Sequence, residues 1–359
     1  PLAMNDTYLY IHTGGTTAVP KICVVPHRQM IWNSIEVMCN GGSVGSDSTY
    51  MLLFPFFHIG GWNIVTPMIH MGGRIVIMRE YDPDRALELI ASERVDHFGA
   101  VEVMLRFMLA SQNFAHADLS SLKGIVTAAA PCAKEVVQPF WERGIPTIQA
   151  YGLTEGGPSN FSFIPKLGTM EEIEANAGKV GTPMFHCDYK LVDPDSHEEV
   201  PQGEVGVMCL RSPHAFGGYL NDYWRTEKMT LDGGWIFTGD LAFVDENGEV
   251  EIVGRSDNMF ISGGENISPE EIEQVLKLHP GTAACLAVGI NDSKWGQVPV
   301  AMVVPRPGQD LDEKELIEFC RDNLAAFKVP KAIKIAQMLP MTGAGKPDRK
   351  ALMKLFEVT

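Results

Sequence analysis

Through its first half this chain alternates short apolar runs with stretches whose apolar residues recur at helical spacing. That alternation restricts the fold more than any other feature. Residues 8–12, 50–54, 74–78, 124–130 and 147–150 read as strands, and residues 83–92 as a helix. Strands that alternate with helices imply βαβ units and a parallel sheet covered on both faces. From about Gly178 the texture changes to short alternating strands broken by Pro, Gly, Asp and Asn, at 189–192, 206–210, 235–237, 241–244 and 250–253. Asp245-Glu246-Asn247-Gly248 reads as a hairpin turn, because Asn and Gly tolerate positive φ. This stretch predicts an antiparallel, barrel-like part. After Gly254-Arg255-Ser256-Asp257 comes an α+β pattern: a helix over 269–278 with Ser268 as N-cap, strands at 283–288 and 298–304, a helix over 312–324 and a strand at 331–336. The expected organisation is therefore α/β, with an α/β sheet part over 1–177, a β-rich part over 178–255 and a small α+β domain over 256–359. A length of 359 residues suits two or three domains.

Composition narrows the partners. Lys plus Arg total 29 against 45 Asp plus Glu, a formal charge of −16. A surface that acidic repels phosphate backbones and anionic lipid, so nucleic acid and membrane surfaces are poor candidate partners, while a local basic pocket for one small anion stays open. The seven cysteines are scattered and form no C-x-x-C pair, as expected of reduced thiols rather than a disulfide framework or a zinc site. No uncharged apolar run reaches the ~18 residues of a membrane helix. Residues 1–6 lack the pattern of a signal peptide, and the expectation is a cytoplasmic protein.

Four segments could carry chemistry. Thr13-Gly14-Gly15-Thr16-Thr17-Ala18-Val19-Pro20-Lys21 follows the opening strand. Glycines let backbone N–H groups face an anion, threonine hydroxyls donate to phosphate oxygens, and a lysine adds a point charge. It is not a Walker loop, and the alternative is a polar turn between strand and helix. Tyr151-Gly152-Leu153-Thr154-Glu155 follows another strand; Glu155 could hold Mg²⁺ alongside phosphates, or could satisfy a helix dipole. Thr238-Gly239-Asp240 could offer a carboxylate to a ribose, or be a turn whose Asp caps its own backbone. Thr342-Gly343-Ala344-Gly345-Lys346 presents one lysine from a glycine loop, or a merely solvated one.

In order and spacing these segments resemble the motif series of the adenylate-forming superfamily, and the AMP-dependent acyl-CoA synthetases in particular. The likeness runs from Tyr10 to Leu352. It implies an acetyl-CoA synthetase-like fold with a mobile small C-terminal domain. It also implies activation of a carboxylic acid with ATP to an acyl-adenylate, then transfer of the acyl group to coenzyme A, with Mg²⁺ present. By this resemblance Thr13, Gly15, Thr16, Thr17 and Lys21 cradle the β- and γ-phosphates. Tyr151, Gly152 and Thr154 lie along adenine and the α-phosphate, with Ala129, Ala130 and Pro131 as the facing wall. Glu155 binds Mg²⁺, Asp240 and Arg255 hold the ribose hydroxyls, Asp257 is the hinge, and Lys346 bridges carboxylate and α-phosphate during adenylation.

Pro55-Phe56-Phe57-His58 resembles the Pro-x-x-His of acyl-CoA synthetases, in which His58 gates the acyl pocket. Gly263 and Gly264 in Ile261–Ile267 resemble the glycines that admit pantetheine. The residues around Lys346 resemble the ending of peptide-synthetase adenylation domains equally well, so a carrier-loading enzyme stays open, as does a non-catalytic fragment that binds nucleotide or a partner chain. Phe56, Phe57, Ile59, Trp62 and Ile64 suggest an apolar acyl lining, for a medium- or long-chain fatty acid or an aryl acid, unless they are sheet core. The chain departs from the pattern at Gly14, where Ser is usual, at Ala18 and Ile22, where Gly is usual, and at Glu102, where Pro is usual. A carboxylate at Glu102 would repel a fatty acid unless it faces solvent. Full members carry a domain-sized stretch of roughly 150 residues ahead of the phosphate loop. A sheet edge left by its absence would invite pairing with a second copy.

Overall fold

The computed structural model describes residues 1–13, 21–40, 44–129, 132–163, 169–263, 265–341 and 347–357. Of the expected site residues, Gly15, Thr16, Thr17, Ala130, Pro131, Gly264 and Lys346 lie outside them. The chain divides into two units, Pro1–Thr238 with Phe243–Ile252, and Gly239–Ala242 with Val253–Thr359.

The first unit opens with β1 (Thr7–Thr13) and β2 (Lys21–Pro26), which pair antiparallel from Thr7 against Pro26 to Thr13 against Lys21. The opening strand thus belongs to a hairpin and not to the parallel sheet. The glycine-rich segment joins two strands rather than a strand and a helix. Helix α1 (His27–Asn40) follows directly. The parallel sheet then builds through β3 (Thr49–Leu52), α2 (Ile59–Met71), β4 (Arg74–Ile77), α3 (Pro83–Ser92), β5 (His97–Ala100), α4 (Glu102–Ala110), β6 (Gly124–Thr127), α5 (Lys134–Trp141) and β7 (Thr147–Leu153). Strand order is β4-β3-β5-β6-β7, all parallel, as the alternation predicts. Helix α3 shows why the pattern is so regular. Asp82 accepts the Arg85 N–H, Pro83 occupies the first turn, and Ala86, Leu87, Leu89 and Ile90 are buried. These meet Met51, Phe98, Ile125, Leu105, Met108 and Phe140, each at most 1% exposed, in the largest core cluster.

Beyond β7 the sheet turns antiparallel through β8 (Gly157–Ser162), followed by α6 (Met170–Ala175) and β9 (Thr182–Pro183). A second sheet contains β10 (Asp188–Val192) and β11 (Gly206–Arg211). After α7 (Tyr223–Met229) come β12 (Thr230–Leu231), β13 (Trp235–Val244) and β14 (Val250–Arg255), in the order β10-β11-β13-β12 with β14 beside β13. Two strands were expected where the single β13 runs, because Thr238-Gly239-Asp240 reads as a turn. Gly239 takes φ +75° inside the strand and absorbs a local irregularity without ending it. The turn at 245–248 forms as expected: Gly248 has φ +81°, and Asp245 Oδ1 accepts the N–H groups of Asn247 and Glu249.

In the second unit β15 (Phe260–Ser262) and β16 (Glu265–Ile267) lead into α8 (Pro269–Leu278). A long antiparallel pair follows, β17 (Thr282–Asp292) and β18 (Gly296–Pro305). Helix α9 (Glu313–Asn323), β19 (Ile333–Ile335), parallel to β18, and α10 (Arg349–Glu357) complete it. Ser268 sits at the N-cap of α8 but its hydroxyl makes no cap bond; it donates to Glu270 at 2.7 Å instead. Among the described residues no helix is long and apolar enough to cross a membrane.

Candidate functional site

The carboxyl end of β7 carries the Tyr-Gly-x-Thr-Glu segment. Because β8 turns back at once, Glu155 stands in a three-residue hairpin turn between Leu153 and Gly157, not at the start of a helix. Gly152 permits this closeness: a Cβ there would lie 2.3 Å from the Pro158 carbonyl oxygen. The turn's backbone is held on several sides. Gln29 of α1 donates to the Thr154 carbonyl at 2.7 Å, Phe216 N–H to the Glu155 carbonyl at 2.9 Å, and Ser212 and Asn160 to the Gly156 carbonyl at 3.0 Å each. Thr154 and Glu155 are both buried, and Tyr151 is half-buried with its ring edge-on to Phe161.

A buried carboxylate needs a partner. Glu155 Oε1 accepts the Tyr219 hydroxyl at 2.6 Å. Tyr219 is itself 7% exposed, bridges backbone to Cys23 of β2, and carries the Lys21 ammonium 5.2 Å from its ring centroid. Thr13 pairs with Lys21 across the hairpin. The two residues at the stem of the glycine-rich segment therefore stand beside the Glu155 turn, although 134 (Lys21) and 142 (Thr13) positions separate them from Glu155 in sequence. Thr13 Oγ1 is buried without a hydrogen-bond partner of ordinary geometry among the described residues. Burial and then the Glu155 charge push both the Tyr219 phenol and the Cys23 thiol well above their usual ranges, so both stay protonated and Tyr219 stays a donor.

Gly263 and the pair Asp240 and Arg255 lie in the second unit. Arg255 Nη1 meets Asp240 Oδ1 at 2.7 Å, and its Nε meets Asp257 at 3.1 Å. Burial pulls the Arg255 guanidinium down, but the two carboxylates outweigh it and hold it above its ordinary value. Ser256 N–H and Oγ both bond the Gly239 carbonyl, which fixes the left-handed Gly239 beside the guanidinium. So Asp240 pairs with a neighbouring strand rather than capping its own turn. Gly263 has φ +61°, and a Cβ on it would meet the Trp295 indole at 2.9 Å.

The acyl candidates divide. Ile64 is core beside Leu52 and Val65, and Ile59 and Trp62 pack against Ile11, Val25 and Met30. Phe56, Phe57 and His58 are exposed at the start of α2, with the Phe57 and His58 rings 5.1 Å apart. Glu102 is held by Arg106 at 2.7 Å and accepts the Ala133 N–H at 3.2 Å, so it neither faces solvent alone nor stands uncompensated. Ala129 adopts φ +73° at the end of β6, a strained conformation for a residue with a Cβ. Sequence reading missed Tyr219 and Gln29. The one local hint of Tyr219 is an aromatic with a polar tip after two glycines in an otherwise polar stretch.

Among the described residues no group of three or more His, Cys, Asp or Glu could cage a metal. The donor set still fits Mg²⁺, which retains several waters and takes one or two carboxylates beside substrate phosphates. A single buried carboxylate close to a lysine and a buried threonine hydroxyl is such a set.

Comparison with known proteins agrees with this reading. A family profile described as AMP-binding enzyme matches residues 1–220, and one described as AMP-binding enzyme C-terminal domain matches residues 271–346. The chain is 34% identical over 347 residues to a feruloyl-CoA synthase of Amycolatopsis sp, covering 96% of this chain and 69% of that protein. It is 33% identical over 348 residues to the indoleacetate–CoA ligase of Aromatoleum aromaticum, covering 97% and 67%. The solved o-succinylbenzoate CoA synthetase of Bacillus subtilis, in complex with its acyl-adenylate intermediate, superposes with TM-score 0.87 at 28% identity, covering 98% of this chain and 70% of that one. Motif order, fold and relatives converge, and the chain belongs to the AMP-binding enzyme family, among the adenylate-forming acyl-CoA ligases.

Proposed function

We propose that this chain joins an aryl or arylalkyl carboxylic acid to coenzyme A at the expense of ATP. The observation that carries the proposal is the junction of Lys21 and Glu155 through Tyr219, whose ring carries the cation and whose hydroxyl meets the carboxylate, at the stem of a glycine- and threonine-rich segment. In this reading Thr13, Lys21 and the loop residues Gly15, Thr16 and Thr17 bind phosphate oxygens. Glu155 holds Mg²⁺, which when bound offsets phosphate charge. Tyr151, Gly152, Thr154, Ala130 and Pro131 flank adenine and the α-phosphate. Asp240, oriented by Arg255, accepts from ribose hydroxyls, and Gly263 and Gly264 admit pantetheine.

The acid's carboxylate oxygen attacks the α-phosphorus and pyrophosphate leaves. Lys346 offsets the charge that builds on phosphorus. The CoA thiol then gives up its proton to solvent, its sulfur bonds the acyl carbon, and the bond from that carbon to the phosphate oxygen breaks to release AMP. Aryl acids are favoured over fatty acids because the relatives' named substrates are aromatic, and because Phe56, Phe57 and His58 offer ring surfaces at the head of α2.

The test is pyrophosphate release with cinnamate-type, arylacetate and long-chain fatty acids, each with CoA or with a phosphopantetheinyl carrier protein, for the wild type and Lys346→Ala. The expected result is release with aryl acids, thioester formation with CoA alone, and adenylation reduced by about 100-fold or more in Lys346→Ala. Preference for a fatty acid or for the carrier protein would overturn the substrate proposal. Equal rates in the two proteins would overturn the role of Lys346.

A further inference from the structure

We infer that Tyr219 is a positioning residue for cation binding: its hydroxyl fixes Glu155 so that one carboxylate oxygen faces the metal, and its ring seats Lys21 beside it. The inference rests on the proposed role of Glu155 as the Mg²⁺ ligand. Three observations carry it. Tyr219 and Glu155 are 7% and 8% exposed and meet at 2.6 Å, a short charge-assisted bond. With the Tyr219 hydroxyl on Oε1 and the Cys23 thiol also bonded to this carboxylate, few acceptor directions remain, which would suit monodentate ligation of a small octahedral ion that retains its waters. The ring is held independently of that bond, by the backbone bridge to Cys23, by Thr226 Oγ1 accepting the Tyr219 N–H at 2.8 Å, and by edge-on contact with Phe216 at 5.2 Å. A group held by its own backbone can hold another side chain still.

The sharpest test deletes one oxygen. Tyr219→Phe keeps the ring, its contact with Phe216 and the aromatic face under Lys21, but removes the 2.6 Å bond and leaves Glu155 with the weaker Cys23 thiol as side-chain donor. Binding of Mn²⁺ with a non-hydrolysable α,β-methylene ATP is measured by electron paramagnetic resonance on the intact chain, beside urea unfolding. Glu155→Gln serves as the benchmark. The expected result is roughly tenfold weaker Mn²⁺ binding in Tyr219→Phe and a larger loss in Glu155→Gln. The nucleotide's own affinity without metal should change little.

A benchmark variant that binds Mn²⁺ as tightly as wild type would overturn the metal role of Glu155 itself. A weakened benchmark together with wild-type binding by folded Tyr219→Phe would overturn the inference alone. Should Tyr219→Phe fail to fold, Thr226→Val loosens the same ring through its backbone. Unchanged Mn²⁺ affinity in that variant, with a weakened benchmark, would equally overturn it.

Discussion

Replacing Gly152 by alanine separates steric from conformational cost at the proposed nucleotide site. Gly152 is not in the left-handed region, so an alanine there meets no backbone penalty of that kind. It meets the hairpin partner instead. The new Cβ would stand 2.3 Å from the Pro158 carbonyl oxygen, where ordinary contact begins at 3.4 Å, and the obstacle is backbone that cannot swing aside. Relief requires β7 and β8 to part by roughly 1 Å, at an overpacking cost of about 2–3 kcal/mol. The parting acts on the turn that carries Thr154 and Glu155. A misplacement of about 1 Å at a reacting site costs on the order of 100-fold in rate.

Gly144→Ala is the control. That glycine has φ +73° with nothing within 4 Å of a new Cβ, so it should lose only about 1–2 kcal/mol and keep its rate. Urea unfolding and pyrophosphate release on both variants decide the matter. If Gly152→Ala unfolds with the wild-type midpoint, or if both variants lose activity equally, the tight hairpin is not what places Glu155.

Two further substitutions probe the supports around the site. Ala133, at the N-cap of α5, has no side chain to cap the helix, and Glu102 reaches across from α4 to accept its N–H. Glu102→Ala should lose about 1–2 kcal/mol by urea unfolding, and Glu102→Gln should recover most of it, since the amide oxygen still accepts; a Gln variant no better than Ala would show that the Arg106 charge pair is what matters. His214 is fully buried, and burial lowers its pKa to about 4. The unfolded chain therefore binds the extra proton first. Stability is complete above the ordinary histidine range and falls, by up to about 3 kcal/mol, as pH drops from roughly 6.5 toward 4. Urea midpoints between pH 4 and 7 should slope less steeply in His214→Gln, and identical slopes would remove His214 from the acid response.

What the sequence disclosed depended on how local the determining physics was. Helix α3 has a proline in its first turn, an Asp cap and an apolar stripe, all within eleven residues, and it is legible to the residue. The bounds of α8 and the turn at 245–248 are legible in the same way, although the expected cap hydroxyl of Ser268 bonds Glu270 instead. Asp240 misleads because Thr-Gly-Asp carries every mark of a turn; the chain stays extended there through partners distant in sequence, the Arg255 guanidinium on Asp240, Ser256 on the Gly239 carbonyl and the neighbouring strands of the sheet. The first strand misleads for a related reason. A short apolar run before a glycine loop fits a parallel strand and a hairpin equally, and the choice lies with the partner Lys21–Pro26. Tyr219 lies 64 positions from the carboxylate it touches, and nothing in its neighbours' spacing announces that contact.

Helix α1 breaks the ordinary rule of burial, and the break has a cause. Gln29, Asn33, Ser34 and Glu36 are all 0% exposed. An apolar face would bury the same area without their desolvation. It would also leave the Thr154 carbonyl, inside the Glu155 turn, without the amide that now donates to it at 2.7 Å, an omission worth about 1–3 kcal/mol. At the other end of the stripe Glu36 accepts both the His186 N–H at 2.9 Å and the His186 ring nitrogen at 2.6 Å. Because α1 continues straight from β2, the helix that grips the carboxylate's turn is the same one that anchors the stem of the glycine-rich loop. The polarity of α1 at Gln29 thus follows from a requirement on the site: a turn that exposes a backbone carbonyl to the interior needs a donor there. A donor rooted in the loop's own continuation ties the carboxylate to the lysine by a route additional to Tyr219.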